Sequence, residues 1–132
     1  MAGLSRDLGY EASAFQVATR FALVKSRPDN AIFVATHESS AVGWCHVMGI
    51  RLIVTDGYAE IGGLVVAPPM QRLGIGTSLI AAAEKWSMDA GYPRLRLRSG
   101  VHREEAHRFY AAIGYAKSKA SHAFEKHLLT AA

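Results

Sequence analysis

Apolar positions recur along the chain with two different periods, and each change of period predicts a new element. Spacings of three and four residues predict a short helix over residues 4–8 and a second helix that Ser13 caps and Pro28 ends. The period then becomes two, which predicts three strands over residues 31–36, 42–54 and 58–66. A tight turn at Asp56-Gly57 makes these strands an antiparallel meander.

Helix and strand patterns alternate in the second half of the chain. The apolar face formed by Leu79, Ala83 and Trp86 predicts a helix that ends before Gly91. Strict alternation over residues 94–98 predicts a strand with leucines on one face and arginines on the other. A short helix follows over residues 104–113, and two short strands lie within residues 115–129, the better one at 123–128. The order ααβββαβαββ predicts one α/β domain over residues 1–132, with a mixed, mostly antiparallel sheet flanked by helices.

The composition is that of an ordinary globular chain with a modest excess of positive charge. Half of the 132 residues are apolar and the net charge is +4 at pH 7, which suits an anionic ligand without identifying one. No apolar run approaches the ~20 residues that cross a bilayer. Cys45 is the single cysteine, and no signal-peptide pattern stands at the N-terminus. We therefore expect a cytoplasmic protein without membrane contact or an internal disulfide.

The stretch between the third strand and the next helix is the most informative part of the sequence. A glycine-containing loop over residues 71–76 leads into a helix N-terminus, where unpaired N–H groups and the positive end of the helix dipole attract anions. A dinucleotide fingerprint needs glycine at position 79, which is Leu79, and a P-loop needs a lysine after Gly76. Both of these phosphate-binding motifs are therefore excluded.

Two other motifs are present, in order along the chain. Gln71, Gly74 and Gly76 match Q/R-x-x-G-x-G/A, and residues 106–115 match A-x-x-F-Y-x-x-x-G-F/Y. Together they make the chain resemble the GCN5-related N-acetyltransferase (GNAT) family. The resemblance implies a GNAT fold and an enzyme that moves the acetyl group of acetyl-CoA to a primary amine. It also implies direct transfer in a ternary complex, without a metal.

The resemblance also implies which residues bind the cosubstrate. Main-chain groups at a strand bulge take the acetyl carbonyl and the pantetheine arm, and the glycine loop takes the pyrophosphate. By position in this sequence these residues are Leu64, Val65 and Val66 on the strand and Gln71, Arg72, Leu73, Gly74, Ile75, Gly76 and Thr77 in the loop. Arg103 stands where the family often has asparagine, so it either contacts a phosphate or is only solvated. Phe109 is a motif residue that also fits the buried face of a short helix.

Two residues are candidates for proton transfer. Tyr110 matches the motif tyrosine that points at the thioester sulfur in the family, and a phenol can protonate a departing thiolate. Glu60 lies upstream on the strand where some members carry a glutamate that acts through water. Alternation places Glu60, Gly62 and Leu64 on one face, so Glu60 either faces the cleft as general base or faces solvent.

Other side chains invite alternatives that the sequence does not favour. The histidines are spaced unlike metal ligands, with no H-E-x-x-H or C-x-x-C, and Cys45 fits a small buried residue. The arginines of residues 94–98 form either a solvated face or a contact to CoA phosphates. No aromatic-interleaved basic stretch indicates a nucleic-acid partner. Functional alternatives to a small-molecule acetyltransferase are an acetyl-CoA-binding sensor or interaction domain and a protein N-acetyltransferase.

The start of the chain departs from the family in one respect. GNAT chains usually open with a strand before the first helix, whereas only three residues precede Leu4 here. Either the native start lies upstream or the sheet lacks its first strand. In the second case residues 31–36 form an unprotected edge, which predicts a homodimer or a strand supplied from outside this segment.

Overall fold

The computed structural model describes residues 14–71, 73–98, 104–118 and 121–129, and its helices and strands follow the predicted order as far as residue 112. The elements are helix α1 (Ala14–Lys25), strands β1 (Asn30–His37), β2 (Ser40–Ile50) and β3 (Tyr58–Val66), a 3₁₀ turn (Pro68–Met70), helix α2 (Ile75–Asp89), strand β4 (Leu95–Leu97) and helix α3 (Glu104–Ala112). The helix predicted over residues 4–8 lies outside the described residues. No helix of the described residues is both long and apolar enough to cross a membrane.

The four strands form one sheet in the order β1-β2-β3-β4. β1 pairs with β2 and β2 with β3 in antiparallel fashion, whereas β3 and β4 are parallel. The connection from β3 to β4 is α2, as a parallel pair requires a crossover. The mixed, mostly antiparallel sheet expected from the sequence is therefore confirmed.

Helix α2 packs on one face of this sheet. Alternate strand residues point toward it, and Cys45, Val47 and Ala59 are completely buried beneath it together with Ala83 of the helix. At Gly43 a Cβ atom would lie 3.0 Å from the carbonyl oxygen of Val65, and 3.2 and 3.4 Å from the α2 side chains of Leu79 and Ile75. The absence of a side chain at Gly43 thus lets the start of α2 rest directly on β2, beside the end of β3.

The β2–β3 connection differs from the predicted tight turn. β2 ends at Ile50 rather than at residue 54, and residues 51–57 form a loop. The chain turns back into β3 at Gly57, whose φ is 81°. The guanidinium of Arg51 lies 4.1 Å above the ring of Tyr92 and donates to the carbonyl oxygen of Ala90 at 3.2 Å. This contact with the end of α2 takes Arg51 out of the β ladder, so the apolar residues that follow it are not in a strand.

The chain divides into two compact units, residues 1–98 and 99–132. In the second unit α3 stops at Gly114, whose φ is 100°, as the sequence predicts. The strands predicted within residues 115–129 do not form in the described residues 115–118 and 121–129. A strand needs a hydrogen-bonded neighbour, and residues 121–129 are exposed throughout, with Phe124 at 96%. The strand predicted at residues 123–128 from sequence alone is therefore wrong.

Candidate active site

One extra residue in β3 sets the geometry of the site. His46 of β2 lies opposite Gly63 while its neighbour Val47 lies opposite Ile61, so Gly62 has no partner in the register. This is a β-bulge, which places two residues of one strand opposite one of the other and kinks the strand. The bulge reverses which face each following side chain occupies.

The reversal corrects one prediction. Before the bulge Ile61 packs toward α2, and after it Leu64 and Val66 do so as well. Glu60 therefore lies on the opposite face from Leu64, not on the same face as uninterrupted alternation predicted. That opposite face also carries Trp44, which is the register partner of Val65. We call the face of the sheet turned away from α2 the acceptor face.

Beyond the bulge, β3 has a free edge. Its parallel pairing with β4 ends at Ile61 and Leu97, and no strand of the described residues continues it. The N–H of Ala67 donates to the carbonyl oxygen of Val42 on β2 at 2.8 Å. Because main-chain direction alternates along a strand, Val65 also points to β2, and Leu64 and Val66 point to the free edge.

The three predicted main-chain contacts are thus not equivalent. The amide Nε2 of Gln71 donates to the carbonyl oxygen of Val66 at 3.1 Å, which ties the loop to the strand end. Val65 is buried, and its main-chain groups face β2. The main-chain groups at the free edge are therefore those of Leu64 and the N–H of Val66.

The loop after β3 ends in an open helix N-terminus. Gly74 is the N-cap of α2 with φ 82° and ψ 4°, a left-handed conformation that glycine adopts without cost. The first intrahelical bond runs from the N–H of Ser78 to the carbonyl oxygen of Gly74 at 3.0 Å. The N–H groups of Ile75, Gly76 and Thr77 precede that bond and lack intrahelical partners. Nothing lies within 4 Å of the position that a Cβ on Gly74 would take.

This open N-terminus fits the pyrophosphate of CoA. Space beside Gly74, unpaired N–H groups and the positive dipole end are what a phosphate needs. Ile75 packs into the core and anchors the loop, whereas Leu73 and Thr77 are exposed. Arg72 lies outside the described residues.

Two buried polar atoms on the acceptor face have no hydrogen-bond partner among the described residues. They are Nε1 of Trp44 and Oε1 of Glu60. The Glu60 side chain is only 16% exposed, and its Oε1 lies 3.4 Å from Nε of Arg98 in an ion pair without hydrogen-bond geometry. A buried polar atom without a partner costs about 1–3 kcal/mol, so this face is suited to a polar ligand.

His46 is a third polar group on this face, and the sequence analysis missed it. Its Nε2 lies 2.7 Å from Oδ1 of Asn30 at the start of β1. Burial lowers the pKa of His46 below its ordinary value. The period of β2, which places Trp44, His46 and Met48 on one face, was the signal that pointed to it.

Arg96 of β4 and Arg98, which follows the strand, flank the acceptor face. Arg96 lies opposite Glu60 in the parallel register, and its guanidinium stands 4.4 Å from the ring centroid of Tyr58. Arg98 is 67% exposed beside Glu60. The strand is shorter than the predicted 94–98, and of its predicted arginine face Arg96 and Arg98 lie beside Tyr58 and Glu60.

The remaining predicted residues belong to the second unit or to the core. Tyr110 and Phe109 are half-buried on α3, with ring centroids 5.4 Å apart, and Arg103 lies outside the described residues. Cys45 is fully buried, and burial raises the pKa of its thiol to about 12. Among the described residues no group of three or more His, Cys, Asp or Glu side chains is arranged to hold a metal ion.

A free strand edge that continues into a glycine-started helix N-terminus fits an acyl-CoA-dependent transferase, whose cosubstrate carries a pyrophosphate. The profile of the Acetyltransferase (GNAT) family matches residues 5–115, and the chain belongs to this family. The predicted resemblance is thereby confirmed. The protein is an acetyl-CoA-dependent N-acetyltransferase.

Individual relatives support this assignment. The aminoalkylphosphonate N-acetyltransferase of Salmonella typhimurium is 44% identical over 116 residues, which are 87% of this chain and 73% of that protein. The uncharacterized N-acetyltransferase YhdJ of Bacillus subtilis is 40% identical over 83 residues, 62% of this chain and 58% of that protein.

Solved structures share the fold. The aminoglycoside acetyltransferase AAC(6')-Iy, in complex with the bisubstrate analog CoA-S-monomethyl-acetylneamine, superposes with a TM-score of 0.83 at 16% identity, over 96% of this chain and 88% of that one. A GNAT family acetyltransferase of Staphylococcus aureus superposes with a TM-score of 0.77 at 21% identity, over 96% and 86% of the two chains. At these identities the likeness concerns the fold alone.

The two ends of α2 offer a matched pair of variants for the phosphate site. Gly74 and Gly91 both have positive φ with nothing within 4 Å of a Cβ, so Gly74→Ala and Gly91→Ala should destabilise the protein similarly, by about 1 kcal/mol each. Only Gly74→Ala places a methyl group beside the helix N–H groups at which we expect the pyrophosphate to bind. We expect it alone to raise the Kd for acetyl-CoA, about tenfold or more, as for one lost charge-assisted hydrogen bond.

Isothermal titration with acetyl-CoA and thermal melts of both variants check this expectation. Equal acetyl-CoA affinities for the two variants would contradict the placement of the pyrophosphate at Gly74.

Proposed function

We propose that this enzyme transfers the acetyl group directly to the primary amine of a small molecule that also carries an anionic group, of the aminoalkylphosphonate class. The observation that carries the proposal is the mostly buried carboxylate of Glu60, which lies beside Arg96 and Arg98 on the acceptor face. A carboxylate suits an ammonium group, and guanidinium groups suit a phosphonate. The 44% identical relative has an acceptor of this class in its name.

The cosubstrate would lie along the free edge of β3. Acetyl-CoA supplies the acetyl group as a thioester when it is bound. The main chain of Leu64 and the N–H of Val66 would hold the acetyl carbonyl and the pantetheine arm, and the N–H groups of Ile75, Gly76 and Thr77 would bind the pyrophosphate. By family resemblance, the cosubstrate would also be bound by Arg72, Leu73, Gly74, Arg103 and Phe109. Gln71 would hold the end of β3 in place through its hydrogen bond to the carbonyl oxygen of Val66.

The amine substrate would bind on the acceptor face of the sheet. Glu60 would receive its ammonium group, and Nε1 of Trp44 would find a hydrogen-bond acceptor in the ligand. Arg98 is exposed and close to Glu60, so it would exchange part of this ion pair for the anionic group of the acceptor. The positive net charge of the chain favours the approach of such an acceptor.

Direct transfer agrees with the absence of a suitable protein nucleophile among the described residues of the site. Cys45 lies on the α2 face of β2, fully buried, with a pKa near 12, so it holds its proton. Attack by the amine within a ternary complex needs no acyl-enzyme. By family resemblance Tyr110 would protonate the departing thiolate.

The acceptor class is tested by comparing 2-aminoethylphosphonate with 3-aminopropanol, an amine without negative charge. We expect kcat/KM, followed by release of the CoA thiol, to favour the phosphonate about 100-fold, because each charge-assisted contact contributes about 1.5–3 kcal/mol. Arg98→Met should lower kcat/KM for the phosphonate about tenfold and leave the neutral amine nearly unchanged.

Three other outcomes would contradict the acceptor proposal. Equal rates with both amines would show that Arg96 and Arg98 do not bind the anionic group of the acceptor. Preference for a lysine peptide or a protein N-terminus would make the enzyme a protein N-acetyltransferase. Binding of acetyl-CoA without turnover of any amine would indicate a sensor or interaction domain.

The role of Tyr110 is tested by Tyr110→Phe, which keeps the ring and removes the hydroxyl. We expect kcat to fall about 100-fold with little change in the KM for acetyl-CoA, because only protonation of the leaving group is lost. Tyr115→Phe, on the same unit, is the matched control and should retain kcat. Unchanged turnover by Tyr110→Phe would show that the thiolate takes its proton from another source.

We also propose that the outer edge of β1 pairs with a second copy of the chain. β1 ends the sheet of the described residues, and beside it lies an apolar cavity of about 360 Å³ lined by Phe33, Ala35, Leu73, Ile75 and Leu79. Light scattering should then give twice the chain mass of 14.3 kDa. A monodisperse monomer at micromolar concentration would contradict the dimer.

A further inference from the structure

His46 is a half-buried titratable group on the acceptor face that the roles given so far leave unused. It stands in the middle of β2, opposite Gly63 of β3 on one side and Ile32 of β1 on the other. A half-buried polar side chain is unusual at such a position, because its neighbours in the sheet are mostly apolar.

A chain of hydrogen bonds fixes the tautomer of His46. Nδ2 of Asn30 donates to the carboxylate oxygen Oδ1 of Asp29 at 2.9 Å, and a carboxylate can only accept. The amide of Asn30 is therefore oriented with its oxygen toward His46, where Nε2 lies 2.7 Å away. That oxygen can only accept as well, so Nε2 carries the proton. In the neutral ring, Nδ1 then carries the lone pair.

The lone pair of Nδ1 faces the bulge. A Cβ built on Gly62 would lie 2.9 Å from Nδ1, so the absence of a side chain at Gly62 keeps this nitrogen open. The hydrogen bond between the ring and Asn30 uses Nε2 and leaves Nδ1 uninvolved. On the same strand Gly62 stands two residues before Leu64, whose main chain faces the free edge where the acetyl group is expected. The nitrogen is thus on the acceptor face at the point where the two substrates would meet.

We propose that Nδ1 of His46 accepts the proton that the acceptor amine loses during acetyl transfer, with Asn30 as the positioning residue that holds the ring. The proposal deepens the proposed function and rests on its placement of the amine on the acceptor face. Glu60 then binds the ammonium group, and His46 is the catalytic base.

The proton transfer balances as follows in atoms and charge. The ammonium group held by Glu60 first releases one proton to water, which frees the nitrogen lone pair. The nitrogen then bonds to the acetyl carbon while the π pair of the carbonyl moves to oxygen, and the positively charged nitrogen becomes acidic. One N–H bond breaks, its electron pair returns to nitrogen, and the proton forms a bond with Nδ1, so the positive charge moves to the imidazole. The pair on oxygen then re-forms the carbonyl as the carbon–sulfur pair leaves with sulfur, which is protonated in turn. The imidazolium finally releases its proton to water.

The electrostatic surroundings agree with a base that is neutral at pH 7. Burial lowers the pKa of His46, so its lone pair stays free at neutral pH. Asp29, which pairs with Arg27, is linked to the ring through Asn30, and Glu60, which pairs with Arg98, lies on the same face of the sheet. Because the basic form is the active one, kcat/KM must fall as the pH is lowered through the pKa of His46.

The test uses the full-length protein, acetyl-CoA and whichever amine gives the highest rate. His46→Gln retains a donor for Asn30 and removes the lone pair of the ring. We expect kcat to fall about 100-fold, the acidic limb of the pH profile to disappear, and the KM for acetyl-CoA to change little. His37→Gln, on an exposed histidine of β1, is the matched control and should keep both the rate and the limb.

Two further variants separate a catalytic role from a structural one. His46→Ala should regain part of its lost rate when free imidazole is added, because the small base enters the vacated space. Asn30→Asp places a carboxylate against Nε2, which stabilises the imidazolium. The acidic limb should then move to higher pH by about one unit or more.

The proposal is overturned if His46→Gln keeps its rate, or if its rate falls with the acidic limb intact and imidazole has no effect on His46→Ala. An unshifted limb in Asn30→Asp would remove the positioning role of Asn30. These results do not depend on the phosphonate preference, because any amine that is acetylated serves. A loss of selectivity for 2-aminoethylphosphonate would contradict the proposed acceptor class alone.

Discussion

The extra residue at Gly62 is the constraint on which the rest of the site depends. A regular strand must send residues 60, 62 and 64 to the same face. With one residue added, β3 buries Ile61 and Leu64 under α2 and still turns Glu60 and Gly63 toward the acceptor face. One strand thereby takes part both in the core that holds α2 and in the polar face that would bind the amine. Glycine at 62 and 63 is needed there, since a Cβ at either would meet the His46 or Trp44 ring.

The two substrates are placed by different parts of the same strand. Its free edge continues into the loop tied down by Gln71 and into the open start of α2, which is where a phosphorylated ligand fits. Its acceptor face carries Glu60, and the same face of the neighbouring strand β2 carries His46 and Trp44. In this account the bulge is the point where a thioester arriving along the edge and an amine arriving on the face come within reach of each other.

The sequence was sufficient for features that depend on local chemistry. The glycine loop, the α2 apolar face and the stop of α3 at Gly114 follow from backbone conformation and helical spacing, and the structure has them as predicted. Features that depend on distant partners were not predictable. The bulge exists only relative to β2, the 51–57 loop depends on the contact between Arg51 and Tyr92, and residues 123–128 lack a neighbouring strand. The role of His46 likewise depends on Asn30, which lies on another strand.

A crystal structure with CoA and the N-acetylated aminoalkylphosphonate product would test the central claim most directly. The account predicts that the amide nitrogen of the product lies on the acceptor face, within about 3.2 Å of Nδ1 of His46. The acetyl oxygen should lie against the main chain of Leu64 or Val66. A product bound on the α2 side of the sheet, or an Nδ1 hydrogen-bonded to the protein and out of reach of the amide, would contradict it.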